Sequence, residues 1–236
     1  MSPNGKWATR SGSCVHGCNV LKPKDGSFAE FIGVRRELVM RIPGRIPIEE
    51  CAGAGVGVIT VSLGLDKFMG SDADGLNAND RVDEVKWILI YGGSTATGDL
   101  TASSAGFRVV ATCSPHNFDY HYPACGPDIR AHTLGSLFYV WDCVGGAQAF
   151  EIADQAFPDF PPVGQMLGHG TIKGPSGTPR PGVEFSMIAA YSAKGEPFVI
   201  AGQKFEASRE DYEFVVKWCQ VVERFLEERK WRPHKS

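Results

Sequence analysis

Seven residues, Gly92-Gly93-Ser94-Thr95-Ala96-Thr97-Gly98, follow directly on the apolar run Lys86 to Tyr91. A glycine-rich turn between an apolar strand and a helix suits an anionic ligand, because glycine removes the side-chain obstruction and N–H groups at the helix start face the anion. Here Gly92 and Gly93 would make the turn, Ser94, Thr95 and Thr97 would add hydroxyl donors, and Gly98 would let helix and strand pack closely. The order is not G-x-G-x-x-G. As a bare pattern it suits a structural β–α connection as well as the pyrophosphate of a dinucleotide.

The end of the next apolar run, Arg108 to Cys113, bears on that choice. A site that prefers NAD places Asp or Glu about 20 residues after the turn, to bond the ribose 2′-hydroxyl. This chain has Ser114, Pro115, His116 and Asn117 there. No carboxylate stands in the run, and Ser114, His116 and Asn117 can bond a 2′-phosphate without repelling it, which favours NADP over NAD. From spacing alone, a Ser-Pro turn with no ligand remains the alternative.

Other chemistry-bearing patterns fail on spacing. Tyr191 and Lys194 stand three apart, whereas a reductase Tyr/Lys pair needs one helical turn of four. Cys14, His16 and Cys18 offer soft ligands, but a zinc site needs four and no second Cys pair follows at usable spacing. No Gly-x-Ser-x-Gly elbow or P-loop occurs, and Gly-His169-Gly reads as a turn rather than a base.

The elements that would position the glycine turn alternate. The run Lys86 to Tyr91, a short helix after Gly98, the run Arg108 to Cys113, a piece of helix at Ile129 to Thr133, a strand Phe138 to Val144 and a helix Ala147 to Phe157 predict an α/β fold with a parallel, Rossmann-like sheet. Before them, Gly26 to Pro43 reads as short strands broken by turns, and Pro47 starts a tightly packed helix through AGAGVGVITVSLGL. Gly70 to Val85 reads as a solvated loop. After the sheet, Pro158 to Gly182 is Pro/Gly-rich and reads as a long surface loop, and Phe185 to Ala193 as another strand. Ser208 caps a final amphipathic helix carrying Val215, Trp218, Cys219, Val222, Phe225 and Leu226 on one face, with Glu213 and Lys217 paired on the other.

Composition sets the outer limits. The 236 residues, 43% hydrophobic and 22% charged, describe a folded chain of one domain plus a fragment, neither disordered nor collagenous. A net charge of -3 gives no uniform positive field for nucleic acid or an anionic membrane, so an anionic ligand must be held locally. Seven scattered cysteines argue against a disulfide framework and for a reducing, cytoplasmic setting. The start shows no apolar signal segment, and the longest weakly polar run, Ala52 to Leu65, is shorter than the roughly 20 residues of a bilayer span.

Several strings together resemble a known family: DGSFAEF (Asp25 to Phe31), IPIEECAGAGVGVITVSLGL (Ile46 to Leu65), LIYGGSTATG (Leu89 to Gly98), VVATCSPHNFD (Val109 to Asp119), VWDCV (Val140 to Val144) and KGEPF with SREDYEF (Lys194 to Phe214). They are similar to fungal zinc-free medium-chain reductases, and within these to the trans-acting enoyl reductases that serve polyketide synthases. The resemblance implies a remnant of a GroES-like catalytic β domain over residues 1–45 and an incomplete Rossmann-like nucleotide-binding domain with the C-terminal helix over 46–236. It implies NADP as cofactor, held by Ser94, Thr95, Ala96, Thr97, Ser114, Pro115, His116 and Asn117, with Tyr120 meeting the adenosine phosphate. Gly55, Val56, Gly57, Val58, Ile59, Thr60, Val61 and Ser62 would line the substrate side, and no metal is implied.

The implied activity is NADPH-dependent reduction of an α,β-unsaturated acyl thioester on a polyketide synthase, in secondary metabolite biosynthesis. A degenerate non-catalytic nucleotide binder and an NADPH:quinone or small-enone reductase are the alternatives. The chain departs from the family in the portion before DGSFAEF, in the crossover after Gly98, and after Asn117, where Phe118-Asp119-Tyr120 fuses two family segments so that a βα unit is lost. A truncated relative or an imperfect gene model is the expectation.

Overall fold

The structure, a computed structural model, describes residues 10–68, 86–103, 107–114, 125–161, 166–174 and 177–229. The chain forms two compact units, residues 60–189 and residues 1–59 with 190–236. In this division residues 46–59 and 190–236, the C-terminal helix included, group with the segment 1–45.

The larger unit is built on a sheet of five parallel strands. In chain order they are β3 (Trp87–Tyr91), β4 (Arg108–Thr112), β5 (Leu137–Asp142), β6 (Leu167–Thr171) and β7 (Val183–Met187), in the spatial order β4-β3-β5-β6-β7. The register runs Ile90 to Ala111 on one side and Ile90 to Trp141 on the other. The helices are α3 (Ala96–Ser103), α4 (Cys125–His132) and α5 (Ala147–Ala156). Central parallel strands are covered on both faces, and accordingly Ile88, Leu89, Ile90, Leu137, Val140 and Trp141 are fully buried. Leu89, Leu137 and Val140 pack with Ile129 of α4 and with Ile152, Ala153 and Ala156 of α5. Each buried Leu, Ile or Val among these stabilises the unit by about 1.5–3 kcal/mol.

This order corresponds to the doubly wound arrangement 3-2-1-4-5-6 with β3 in first place and β4 in second. Among the described residues no strand lies beyond β4, where the third strand of that order would sit. Residues 115–124, over which the sequence reading fuses two segments, lie outside the described residues.

One expectation is overturned in this unit. Residues 158–182 are not simply a loop, since Leu167–Thr171 is a wholly buried strand between β5 and β7. His169, read as part of a turn, is its middle residue, 2% exposed between the rings of Phe150 and Phe185. The sequence LGHGT lacks β-branched bulk, and the position between two strands overrides that poor propensity. Burial lowers the His169 pKa to about 4, so the ring is neutral near pH 7.

The smaller unit starts from an antiparallel pair, β1 (Ser11–Gly12) with β2 (Met40–Arg41). Most of Gly26 to Pro43 is therefore not strand: the residues form bends and a 3-10 turn at Arg36–Leu38 ahead of β2. Pro47 stands before α1 (Ile48–Cys51), as expected, and α2 (Ala54–Val61) continues into a π-helical turn, Ser62–Phe68. The stretch Ile48–Leu65 is long and apolar enough to cross a membrane by length and composition alone, and 61% of it is buried, as in a core helix.

A hairpin that the sequence reading did not anticipate joins β8 (Phe198–Ile200) to β9 (Gln203–Phe205). Its two-residue turn places Ala201 and Gly202 at φ of +50° and +80°, the left-handed pair that matches strand twist. The last helix, α6 (Arg209–Glu227), is capped by Ser208, whose hydroxyl accepts from the Asp211 N–H at 3.1 Å. Its buried face is Val215, Trp218, Cys219, Val221, Val222 and Leu226. Glu213 takes its hydrogen bond from Arg209, at 2.7 Å, instead of from Lys217.

Candidate functional site

The C-terminal ends of the parallel strands carry the candidate site. The chain leaves β3 to one side for β4 and then returns to the other side for β5, so the switch point of the sheet lies between β3 and β5. The glycine turn follows β3 directly. Gly92 has φ +89°, and a Cβ there would lie 2.5 Å from Val144 Cγ2. A Cβ at Gly98 would lie 2.4 Å from the Gly92 carbonyl oxygen and 2.8 Å from Gly93 Cα. Only glycine allows this approach of α3 to the turn.

The hydrogen bonds redistribute the roles expected of this segment. The N–H groups of Gly92 and Gly93 both donate to the Thr112 carbonyl, at 3.1 and 2.7 Å, and tie the turn to the end of β4. Thr95 is the cap of α3: its hydroxyl donates to the Gly92 carbonyl at 2.8 Å and accepts from the Gly98 N–H at 3.0 Å. The Thr95 hydroxyl and the Gly93 amide thus hold the turn in shape and are not the donors offered to a phosphate. The donors that remain are the exposed Ser94 and the N–H groups of Ala96 and Thr97, the first two of α3, which have no intrahelical acceptor. At the start of a helix that Gly92 and Gly98 hold close to the strand ends, this donor set fits a pyrophosphate.

Ser114 is exposed just past the end of β4. Pro115, His116, Asn117 and Tyr120 lie outside the described residues. Gly55 to Ser62 falls in α2 and the first residue of the π-helical turn: Gly55 to Ile59 belongs to the smaller unit and Thr60 to Ser62 to the larger. Seven of these eight are buried, and Val56 alone is exposed. A Cβ on Gly55 would meet the Ser13 carbonyl oxygen at 2.3 Å, so that glycine serves packing.

Two residues that sequence reasoning missed hold the edge of the site. Thr112 supplies the carbonyl just described and accepts from the Gly92 N–H through its hydroxyl as well, at 3.3 Å. Asp142, at the end of β5, is fully buried. One of its oxygens accepts from the N–H groups of Val144 and Gly145, at 2.9 and 2.7 Å, and the other from the Thr171 hydroxyl at 3.3 Å. A carboxylate ending an apolar strand just before Cys-Val-Gly-Gly was the available signal. Beside it, Cys143 is buried, which pushes its thiol up to about 12, so it is no nucleophile.

Tyr191 and Lys194 occupy a different setting, in the smaller unit. They lie on one 3-10 turn, Ala190–Lys194. Lys194 is paired with Asp25 and stands 4.0 Å from Glu196, and Glu196 also binds Lys22 at 2.7 Å and Arg35 at 2.5 Å. The Tyr191 hydroxyl accepts from the Cys18 N–H at 3.1 Å, and its ring lies edge-on to His16 at 4.7 Å. Among the described residues no group of three or more His, Cys, Asp or Glu is arranged to hold a metal ion.

No family model matches the chain. It is 31% identical to the trans-enoyl reductase traG of Penicillium crustosum over 99% of its own length and 70% of that protein. It is also 31% identical to the trans-enoyl reductase caaB of Aspergillus niger, over 98% and 69%. The match to traG extends over 260 aligned positions, more than the 236 residues of the chain, so the relative has residues within the matched span that this chain lacks.

Among solved structures, an alcohol dehydrogenase superfamily protein from Novosphingobium aromaticivorans superposes with a TM-score of 0.63 at 16% identity, over 89% of this chain and 61% of that one. A mycobacterial protein, Rv1454c, solved in complex with NADPH, superposes at 0.52 and 16%, over 83% and 59%. The chain therefore spans about seven tenths of those curated relatives and about three fifths of those solved structures. The parallel sheet, the glycine turn at its switch point and the identity across nearly the whole chain lead to one conclusion: the chain belongs to the fungal trans-enoyl reductase family.

Proposed function

We propose that the chain binds NADP(H) across the Gly92–Gly98 turn and acts as a trans-acting, NADPH-dependent enoyl reductase, on an α,β-unsaturated acyl thioester carried by a polyketide synthase. The observation that carries this reading is the turn itself: Gly92 and Gly98 let the turn and the start of α3 pack tightly at the end of β3, and Ser94, Ala96 and Thr97 are left with donors there. Ser114, past the end of β4, offers a neutral hydroxyl where a carboxylate would repel a 2′-phosphate. The relatives' names support enoyl reduction, and the synthase partner follows from the resemblance of LIYGGSTATG and VVATCSPHNFD to trans-acting enoyl reductases.

The cofactor, when bound, supplies a hydride to the β-carbon of the enoyl thioester, with a proton added at the α-carbon. The chain's part is orientation. Thr95 and Thr112 fix the turn, and Asp142 fixes the connection after β5, so the donors at α3 keep their positions without reorganising on binding. Pro115, His116, Asn117 and Tyr120 are proposed to complete the 2′-phosphate side, and Gly55 to Ser62 are proposed to line the substrate side. The seven cysteines are unbridged, which supports a cytoplasmic setting.

Titration with NADPH and NADH, followed by fluorescence, tests the reading. NADPH is expected to bind more tightly, with the preference reduced by Ser114→Ala combined with Asn117→Ala. A folded chain indifferent to both nucleotides overturns it. Oxidation of NADPH with an enoyl thioester, and none with a quinone, is the expected turnover result; the reverse assigns the chain to quinone reduction instead.

A further inference from the structure

The pyrophosphate of a dinucleotide is doubly anionic, yet the glycine turn carries no positive side chain and two of its amides are committed to Thr112. Among the described residues that directly follow the five strands, Lys173 is the one lysine or arginine. It stands two residues past β6. Its N–H donates to the Thr171 hydroxyl at 3.2 Å, and that hydroxyl in turn donates to buried Asp142. The end of β6 is thereby tied to the same carboxylate that holds the Val144 and Gly145 amides.

The side chain does not point away from the sheet's switch point. Lys173 Cδ, Cβ and Cγ lie 2.7, 3.0 and 3.3 Å from where a Cβ on Gly145 would be, so the aliphatic stem is laid across Gly145 in space that any other residue would fill. Gly145 has φ +79°. The stem thus reaches from β6 over the connection that follows β5, and the neighbouring Val144 touches the Gly92 turn. Among the described residues no carboxylate lies within ion-pairing distance of its ammonium, and the nearby Asp142 is occupied by two amides and a hydroxyl.

Resting on the NADP(H) reading, we propose that the Lys173 ammonium is the counterion of the bound dinucleotide's pyrophosphate on its nicotinamide side, a role held in place by Gly145 and by Asp142 through Thr171. Lysine serves here as a mobile point charge able to follow a phosphate oxygen.

The test is a set of binding titrations of the full chain with NADPH, with reduced nicotinamide mononucleotide, which keeps the nicotinamide-side phosphate, and with 2′,5′-ADP, which lacks it. For Lys173→Met the affinity for NADPH and for the mononucleotide is expected to fall about tenfold, the loss of one charge-assisted bond. Binding of 2′,5′-ADP should be unchanged and added salt should weaken NADPH less than in the parent chain, while Lys173→Arg restores most of the affinity. Equal NADPH affinity in the parent and Lys173→Met overturns the proposal. So does an equal loss for 2′,5′-ADP, which would signal a general disturbance, or an unchanged Kd with a raised KM for the enoyl thioester, which would place Lys173 at the substrate. If the parent chain binds none of the three probes, the nucleotide reading itself falls, a result distinct from the failure of Lys173 alone.

Discussion

The charged cluster of the smaller unit and the glycine turn of the larger one invert the usual signs of function. Around Lys194, five ionised groups (Asp25, Glu196, Lys22, Arg35 and Lys194 itself) interlock, with His16 and Tyr191 alongside. Every charge there has a partner within the cluster, and the result is a clasp joining the segments 16–35 and 191–196. The turn at Gly92 has no ionised side chain, and its glycines, Thr95 and Thr112 use their hydrogen bonds to fix its shape, leaving a few unanswered N–H donors at the start of α3. A saturated network holds the chain together, whereas an unsaturated one has something left to offer a ligand.

That contrast can be broken by substitution. The largest effect is expected from Gly98→Val, which drives a branched side chain into the Gly92 carbonyl: a loss of about 3 kcal/mol in urea unfolding, together with loss of NADPH binding. Asp142→Asn removes the charge that the Val144 and Gly145 amides bond, and should cost about 2 kcal/mol and weaken NADPH, measured by the same two assays. Lys194→Met leaves Asp25 without its partner at 19% exposure and should cost about 2 kcal/mol with the NADPH affinity untouched. A matching drop in affinity there would erase the distinction between the two regions.

The smallest effect is in the pH dependence. Hydrogen bonds from Lys22 and Arg35 hold the Glu196 carboxyl down at about 2 against an ordinary 4.5, so the stability it adds is fully present above 4.5 and fades as pH falls towards 2. His169 is lowered from 6.5 to about 4 by burial, so its contribution is present above 6.5 and lost on descending towards 4. His16 is lowered to about 4 by burial in the same way, so denaturation midpoints measured from pH 7.5 down should lose part of their first increment in His169→Phe, the rest belonging to His16, and their second in Glu196→Gln. Unchanged profiles in both variants would count against these two assignments.

Much of this fold was legible because its signals are local. Lys86 to Tyr91 and Arg108 to Cys113 are apolar runs bounded by turn residues, and the structure returns them as β3 and β4 within a residue. Ser208 caps α6 as its position suggested. Leu167–Thr171 was not legible, because two glycines and a histidine make a strand only when flanked by two others, a condition set by residues far away in sequence. The local geometry of the candidate site was half legible. The glycine turn stood out by composition, but the division of labour within it did not, since Thr95, Ser94 and Thr97 are chemically alike and only the geometry commits Thr95 to Gly92 and Gly98. Asp142 escaped notice because its partners are backbone amides, which leave no mark on the sequence.

One packing detail offers an optical handle. The indole of Trp141, fully buried on β5, packs against Gly64, where a Cβ would sit 2.1 Å from the ring, and its Nε1 has no hydrogen-bond partner among the described residues. A dry indole without a polar partner emits at the blue end of the tryptophan range, and it stands next along β5 to Asp142. Reduced nicotinamide absorbs in that range, so a dinucleotide lying over the switch point would drain this emission by energy transfer. On the NADP(H) reading this side chain, together with buried Trp218, would report occupancy by a fall in emission and opening of the sheet by a shift to the red.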